Sequence, residues 1–294
     1  MKVIVVPGSS NDLEKYAKAG VESIILGIRN YSPNYTEVFF KDICYFCINH
    51  PEIDVYIALN STLFNEELDD VEELMMKLDK LDIKGLLYYD VGILMIYKRH
   101  KFKYDLIWNQ THMVTNYNTC NYYYEEGVKY GILAGEVTKN EAMATAGRTK
   151  MKMFVTVVSE PIMAYTRRRL LTAYYTNIGK PFDGADKIIG DKDRKFIVKE
   201  GRNGTCILES DVVNGVCYLN ELESSGIYGA IINGMNMDDE LVLKLYPLVK
   251  EVANNQNEEA LEEINKLLGC NTLFFDRKTV FMVKKDERKE DAKE

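Results

Sequence analysis

Hydrophobic residues along this chain fall into short, nearly unbroken runs rather than alternating with polar ones. Seven of them are VIVV (Val3–Val6), SIILGI (Ser23–Ile28), VYIAL (Val55–Leu59), GLLYY (Gly85–Tyr89), DLIW (Asp105–Trp108), YGILA (Tyr130–Ala134) and MFVTVV (Met153–Val158). A strand that is apolar on both faces is one covered on both faces, so these runs predict parallel strands beneath helices. The segments between them have the helical period instead. In NEELDDVEELMMKLDKL, residues Leu68, Val71, Leu74, Met75 and Leu78 form an apolar stripe, with Asn65 placed to cap it.

Strand, helix and strand recur at about 25–30 residues, the rhythm of an open doubly wound sheet or of an eight-stranded barrel. An eighth run, IYGAIIN (Ile227–Asn233), follows an insertion that reads as a β-hairpin, KFIVKE and TCILES joined by GRNG. Eight strands in one compact length predict an α/β fold of the (β/α)8 TIM-like barrel type, with the hairpin between strands 7 and 8. The expected organisation is one domain over 1–283, including the hairpin at 187–215, and a charged flexible tail over 284–294. No Gly-x-Gly-x-x-Gly follows the first run, which removes the main support for a dinucleotide-binding open sheet.

Composition narrows the class. With 294 residues, 46% hydrophobic and 28% charged, the chain has the profile of a globular protein. The apolar run before Pro7 and Gly8 is too short for a signal peptide or membrane span, so a cytoplasmic protein with no membrane association is expected. Six scattered cysteines argue for reduced thiols rather than a disulfide framework. A net charge of −8 disfavours indiscriminate binding to polyanions, yet leaves room for a focused basic patch.

In such a barrel chemistry sits at the carboxyl ends of the strands. The polar residues there are Asn60, Asp90, Asn109 with Gln110, Glu136, and Ser159 with Glu160. Each either lines a site or caps the helix that follows. Glu136 follows an apolar run and a glycine and points into the mouth, where a carboxylate must be paired or wetted. Of the three histidines, His50 and His100 lie elsewhere. His112, just after the fifth strand, is the one placed for acid–base work, with helix capping as the alternative. Cys44 and Cys47 form a lone CxxC on an expected helix and read as structural thiols, because no second ligand pair accompanies them. No residues are arranged as metal ligands, and neither Gly-x-Ser-x-Gly nor His-Glu-x-x-His occurs. Arg167, Arg168 and Arg169, behind the seventh strand, either hold an oxyanion or form a solvated helix face; on a helix they would fan out, so not all would meet one ligand.

Several stretches taken in order resemble the peptidase U32 family, the collagenase-like proteases. They are VYIALNSTLFNEEL, the DVG at Asp90–Gly92, WNQTHMVTNYNTCNYYYEEGVKYGILAGEV, SEPIMAYTRRRLLTAYYTNIGK, GTCILESDVVNGVCYLNEL and NTLFFDRKTVF. Cluster-bearing members of that family carry cysteines in and after the fourth stretch. Here Arg169 stands at such a position, and no cysteine occurs between Cys120 and Cys206. An iron–sulfur cluster needs about four thiolates, so none is expected. The likeness is to short, cluster-free members, which it implies work beside a longer family protein in 5-hydroxylating the wobble uridine of transfer RNA, with prephenate as substrate and no tightly bound cofactor. The resemblance further implies roles at the mouth for Glu136, Asn109 and Asn116. Three readings stay open: a tRNA-hydroxylation subunit that meets a longer partner and tRNA, a peptidase as the family name says, and a catalytically silent barrel that binds a partner.

Overall fold

Each of the eight apolar runs is a strand of one closed barrel in the computed structural model, which describes residues 1–190, 195–202 and 204–277. In chain order the strands are β1 (Lys2–Val6), β2 (Ser23–Ile28), β3 (Glu37–Val38), β4 (Asp54–Leu59), β5 (Gly85–Tyr88), β6 (Asp105–Trp108), β7 (Tyr130–Ile132), β8 (Lys152–Ser159), β9 (Ile162–Thr166), β10 (Lys187–Gly190), β11 (Lys195–Gly201), β12 (Gly204–Glu209), β13 (Val213–Asn214) and β14 (Gly229–Asn233). Strands β1, β2, β4, β5, β6, β7, β8 and β14 pair in parallel around the ring, and Val5 opposite Ile24 closes it.

The unbroken hydrophobicity of the runs has its cause here. Ile4, Ile25, Ala58, Leu87, Ile107, Ile132, Phe154 and Ile231 fill the barrel interior. Their strand neighbours, among them Val3, Val5, Ile24, Ile57, Leu86 and Val155, pack outward against the helices. In chain order the helices are α1 (Glu14–Lys18), α2 (Phe40–Asn49), α3 (Leu68–Leu78), α4 (Val91–Arg99), α5 (Tyr117–Glu125), α6 (Lys139–Ala146), α7 (Leu170–Asn177), which lies in the insertion, α8 (Leu219–Ser224), α9 (Asp239–Asn255) and α10 (Glu258–Leu268). On α3 the expected stripe faces inward, with Val71, Met75 and Leu78 buried. Asn65 does not cap it, because residues Asn65–Glu67 form a 3-10 turn ahead of the helix, and Glu67 accepts from the Phe64 amide at 2.8 Å. No described helix is long and apolar enough to cross a membrane.

The insertion between β8 and β14 is larger than a hairpin. The predicted β11–β12 hairpin is flanked by β9 and β10 in a four-stranded antiparallel sheet, ordered β10-β11-β12-β9, with α7 between β9 and β10. Strand β13 then pairs antiparallel to β8 and returns the chain to the barrel. The expected tail at 284–294 and the domain end at 283 lie outside the described residues.

Candidate functional site at the barrel mouth

The carboxyl ends of the strands build a polar floor. Tyr35, in the loop after β2, donates its hydroxyl to Asn109 Oδ1 at 3.2 Å, and Asn60 Nδ2 approaches the same oxygen at 3.4 Å. Burial pushes the Tyr35 phenol upward, so it stays a neutral donor. Beside them Asn34 donates to Thr111 Oγ1 at 2.9 Å, and Asn233 donates to the Asn34 carbonyl at 3.2 Å. Two buried side-chain acceptors in this region, Asn60 Oδ1 and Asn34 Oδ1, have no protein partner among the described residues. A buried acceptor left this way is one that a donor entering the mouth would satisfy.

Above the floor stands the pair that sequence position had singled out twice. His112 Nδ1 lies 2.7 Å from Glu136 Oε1, although the two residues follow different strands, β6 and β7. Their loops are tied backbone to backbone, with Ala134 N donating to the Val114 carbonyl at 3.0 Å. Both side chains are about two-fifths exposed (43% and 42%), so Glu136 is paired and also open to solvent. They line a cleft enclosing about 670 Å³, part of it open to solvent, together with Tyr35, Asn109 and Glu160. Burial raises the Glu160 carboxyl above the ordinary carboxylate range, against the opposing pull of Lys199 and of Asn236, whose amide is 3.4 Å away. An imidazole–carboxylate pair facing a carboxyl that keeps its proton longer than usual can accept, hold and return protons on a small polar guest.

Other expected site residues have structural partners. Asp90 caps α4, accepting from Gly92 N at 2.8 Å, and also accepts from Leu63 N at 3.0 Å. Asn116 caps α5 through Thr119 N at 3.0 Å. Neither lines the cleft. The three arginines do not share a helix: Arg167 follows β9, and Arg169 stands just before α7. Arg167 pairs with Glu67 at 2.8 Å, bonds the Thr62 carbonyl at 3.3 Å and lies over the Phe64 ring. Arg169 Nε is 3.6 Å from Glu200. Arg168 is exposed and has no side-chain partner among the described residues. His50 and His100 pair with Glu14 and Glu72, away from the cleft.

The thiols do not converge. Cys47 is buried on α2, and burial pushes its thiol up to about 12, the opposite of an activated thiolate. Among the described residues no three His, Cys, Asp or Glu side chains are grouped to hold a metal ion, so these residues do not fit a four-thiolate cluster.

Sequence reasoning had noted Glu160 by position but passed over Tyr35, Asn34 and Thr111. The first two sit in the loop YSPNYTE, where no periodicity marks a direction; the one available signal was a tyrosine beside asparagine just beyond a strand's carboxyl end.

Fold and mouth together define an α/β-barrel protein with a polar cleft, lined by an imidazole–carboxylate pair, at the carboxyl ends of its strands. The chain belongs to the family described as peptidase family U32, whose model matches residues 8–291. It is 25% identical over 308 residues to the tRNA hydroxylation protein P2 of Bacillus subtilis (strain 168), an alignment covering 95% of this chain and 99% of that protein. Two solved structures show more distant likeness. One is an enolase-superfamily protein from Listeria innocua, at 13% identity and a TM-score of 0.37, covering 73% of this chain and 58% of that one. The other is a multi-modular chitinase from a Paenibacillus strain, at 8% identity and a TM-score of 0.42, covering 86% of this chain and 43% of that one.

Proposed function

We propose that this protein is a cluster-free subunit of a tRNA-hydroxylation system, acting with a longer family member on the wobble uridine. The observation that carries the reading is the end-to-end likeness to the tRNA hydroxylation protein P2, which spans 95% of this chain and 99% of that protein. The mouth is chemically suited to it. A carboxylate-bearing small substrate such as prephenate needs donors at its carboxylates and a group that moves protons at its ring. Tyr35 and Asn109 line the cleft with polar groups, His112 with Glu136 moves the proton, and Glu160, its carboxyl raised by burial, faces the same space.

Peptidase chemistry has less support. Among the described residues the only side-chain hydrogen bond of His112 is to Glu136, so no serine, threonine or cysteine is activated by it. The direct test is mass spectrometry of nucleosides from transfer RNA of cells lacking this protein. Hydroxylated wobble uridine should fall and return when the gene is restored; an unchanged level sinks the reading. Protein purified without oxygen should also carry no stoichiometric iron, and iron with sulfide near cluster stoichiometry would overturn the cluster-free assignment.

A further inference from the structure

We infer that the inserted sheet is the RNA-docking surface of this protein, with Arg168 and Arg202 as its phosphate contacts. The inference rests on the tRNA reading above and states where the polynucleotide lies. Residues 162–209 carry ten Lys and Arg against six Asp and Glu, whereas the whole chain carries 37 against 45. A positive module is thus mounted on a negative barrel. A polyanion repelled by the barrel is drawn to the insertion.

Local structure gathers the charge at one end of the sheet. The β11–β12 turn is pressed against the arginine run: at Gly204, with φ +116°, a Cβ would stand 2.0 Å from the Thr166 carbonyl oxygen and 2.7 Å from Arg167 Cα. Thr205 Oγ1 donates to the Arg168 carbonyl at 2.8 Å and accepts from Leu170 N at 3.0 Å. Arg202, in that turn, and Arg168 therefore belong to the same end. Arg202 also lines a cleft with Lys199 and Tyr35, and Tyr35 lines the cleft of His112 and Glu136 as well. A strand of RNA held there can place one unstacked base at the mouth.

Four other cations of the module are held in ion pairs. Arg167 goes to Glu67, Arg169 to Glu200, Lys199 to Asp186 at 3.1 Å and Lys187 to Asp183 at 2.7 Å. Arg168 and Arg202 are both exposed and have no side-chain partner among the described residues. A guanidinium fork matches a phosphate in a bidentate pair.

The test is fluorescence anisotropy of an unmodified transfer-RNA transcript with the full chain, at about 50 and 200 mM salt. Arg168→Ala with Arg202→Ala should weaken binding about tenfold or more at the lower salt and flatten the log–log salt slope by roughly 1.5, the share of two phosphate contacts. The double lysine variant should keep the slope. Removing Lys77 and Lys98, on the outer helices α3 and α4, should change neither quantity. Wild-type affinity in the double alanine variant, an equal loss in the outer-helix control, or no binding by the wild type overturns the docking surface. Nucleoside analysis of the deleted cells separates the two claims: hydroxylation lost there while the arginine variant binds normally sinks the surface alone. Hydroxylation retained there sinks the functional reading whatever the RNA result.

Discussion

At the scale of single residues, position relative to a strand end decided what the sequence could disclose. His112 and Glu136 were legible because each follows an apolar run, although their 2.7 Å approach depends on two loops the sequence does not align. Asp239 was not legible, since it looks like any acidic residue at the start of a helix. It is buried, accepts from Ser9 N at 3.0 Å, pairs with Lys15 at 2.5 Å and bonds the Tyr16 hydroxyl. Burial opposes its charge, but Lys15, Ser9 and Tyr16 prevail and hold the carboxyl below its ordinary value of 3.8. A depressed folded value means stability that is fully present above the unfolded pKa of about 3.9 and lost as pH falls through the folded one. Asp239→Asn should therefore cost about 3 kcal/mol at pH 7 in urea unfolding, and proportionally less near pH 3. Equal stability of variant and wild type at pH 7 would contradict this.

At the scale of elements, the barrel strands announced themselves and the insertion only in part. GRNG between two β-rich runs revealed β11 and β12, as turn chemistry allows. Strand β9, IMAYT, is mostly half-buried along its length, with no clean alternation, and follows Pro161, so it left no period to read. Missing it placed the arginines on a helix that in fact begins after them. Helix α7 buries none of its residues, and its first amides are held by Glu200, which accepts from Leu171 N at 2.7 Å and Thr172 N at 3.2 Å. Glu200→Ala should speed hydrogen exchange of the α7 amides by about tenfold, or about 1.4 kcal/mol, while β4 to β8 keep their protection. Unchanged protection in α7 would mean that the helix is held by something else. Arg167→Ala, which removes the link to Glu67 and Thr62, should speed exchange across β9 and β12 with the barrel strands again unaffected. Loss of protection throughout the barrel would show instead that the insertion and the barrel unfold as one unit.

At the scale of the whole molecule, a negatively charged barrel carries a positively charged insertion beside a mouth that pairs His112 with Glu136. The closed ring was legible because an eight-fold count of two-sided apolar runs admits few other architectures. The mouth was legible only as a set of candidates, because asparagine and aspartate at strand ends serve equally as caps, as Asp90 and Asn116 do here. Which of them converge is set by loop paths that hydrophobic pattern does not encode. In the function proposed above, proton handling at this mouth supports hydroxylation of transfer RNA. That role is tested most directly by replacing Glu136 with Gln in the chromosomal copy and quantifying hydroxylated wobble uridine by mass spectrometry, with protein level and thermal midpoint checked alongside. Because Glu136 is two-fifths exposed, the folded protein should persist while the modified nucleoside falls to the level of the deletion. A wild-type amount of modified uridine in that strain would contradict the account.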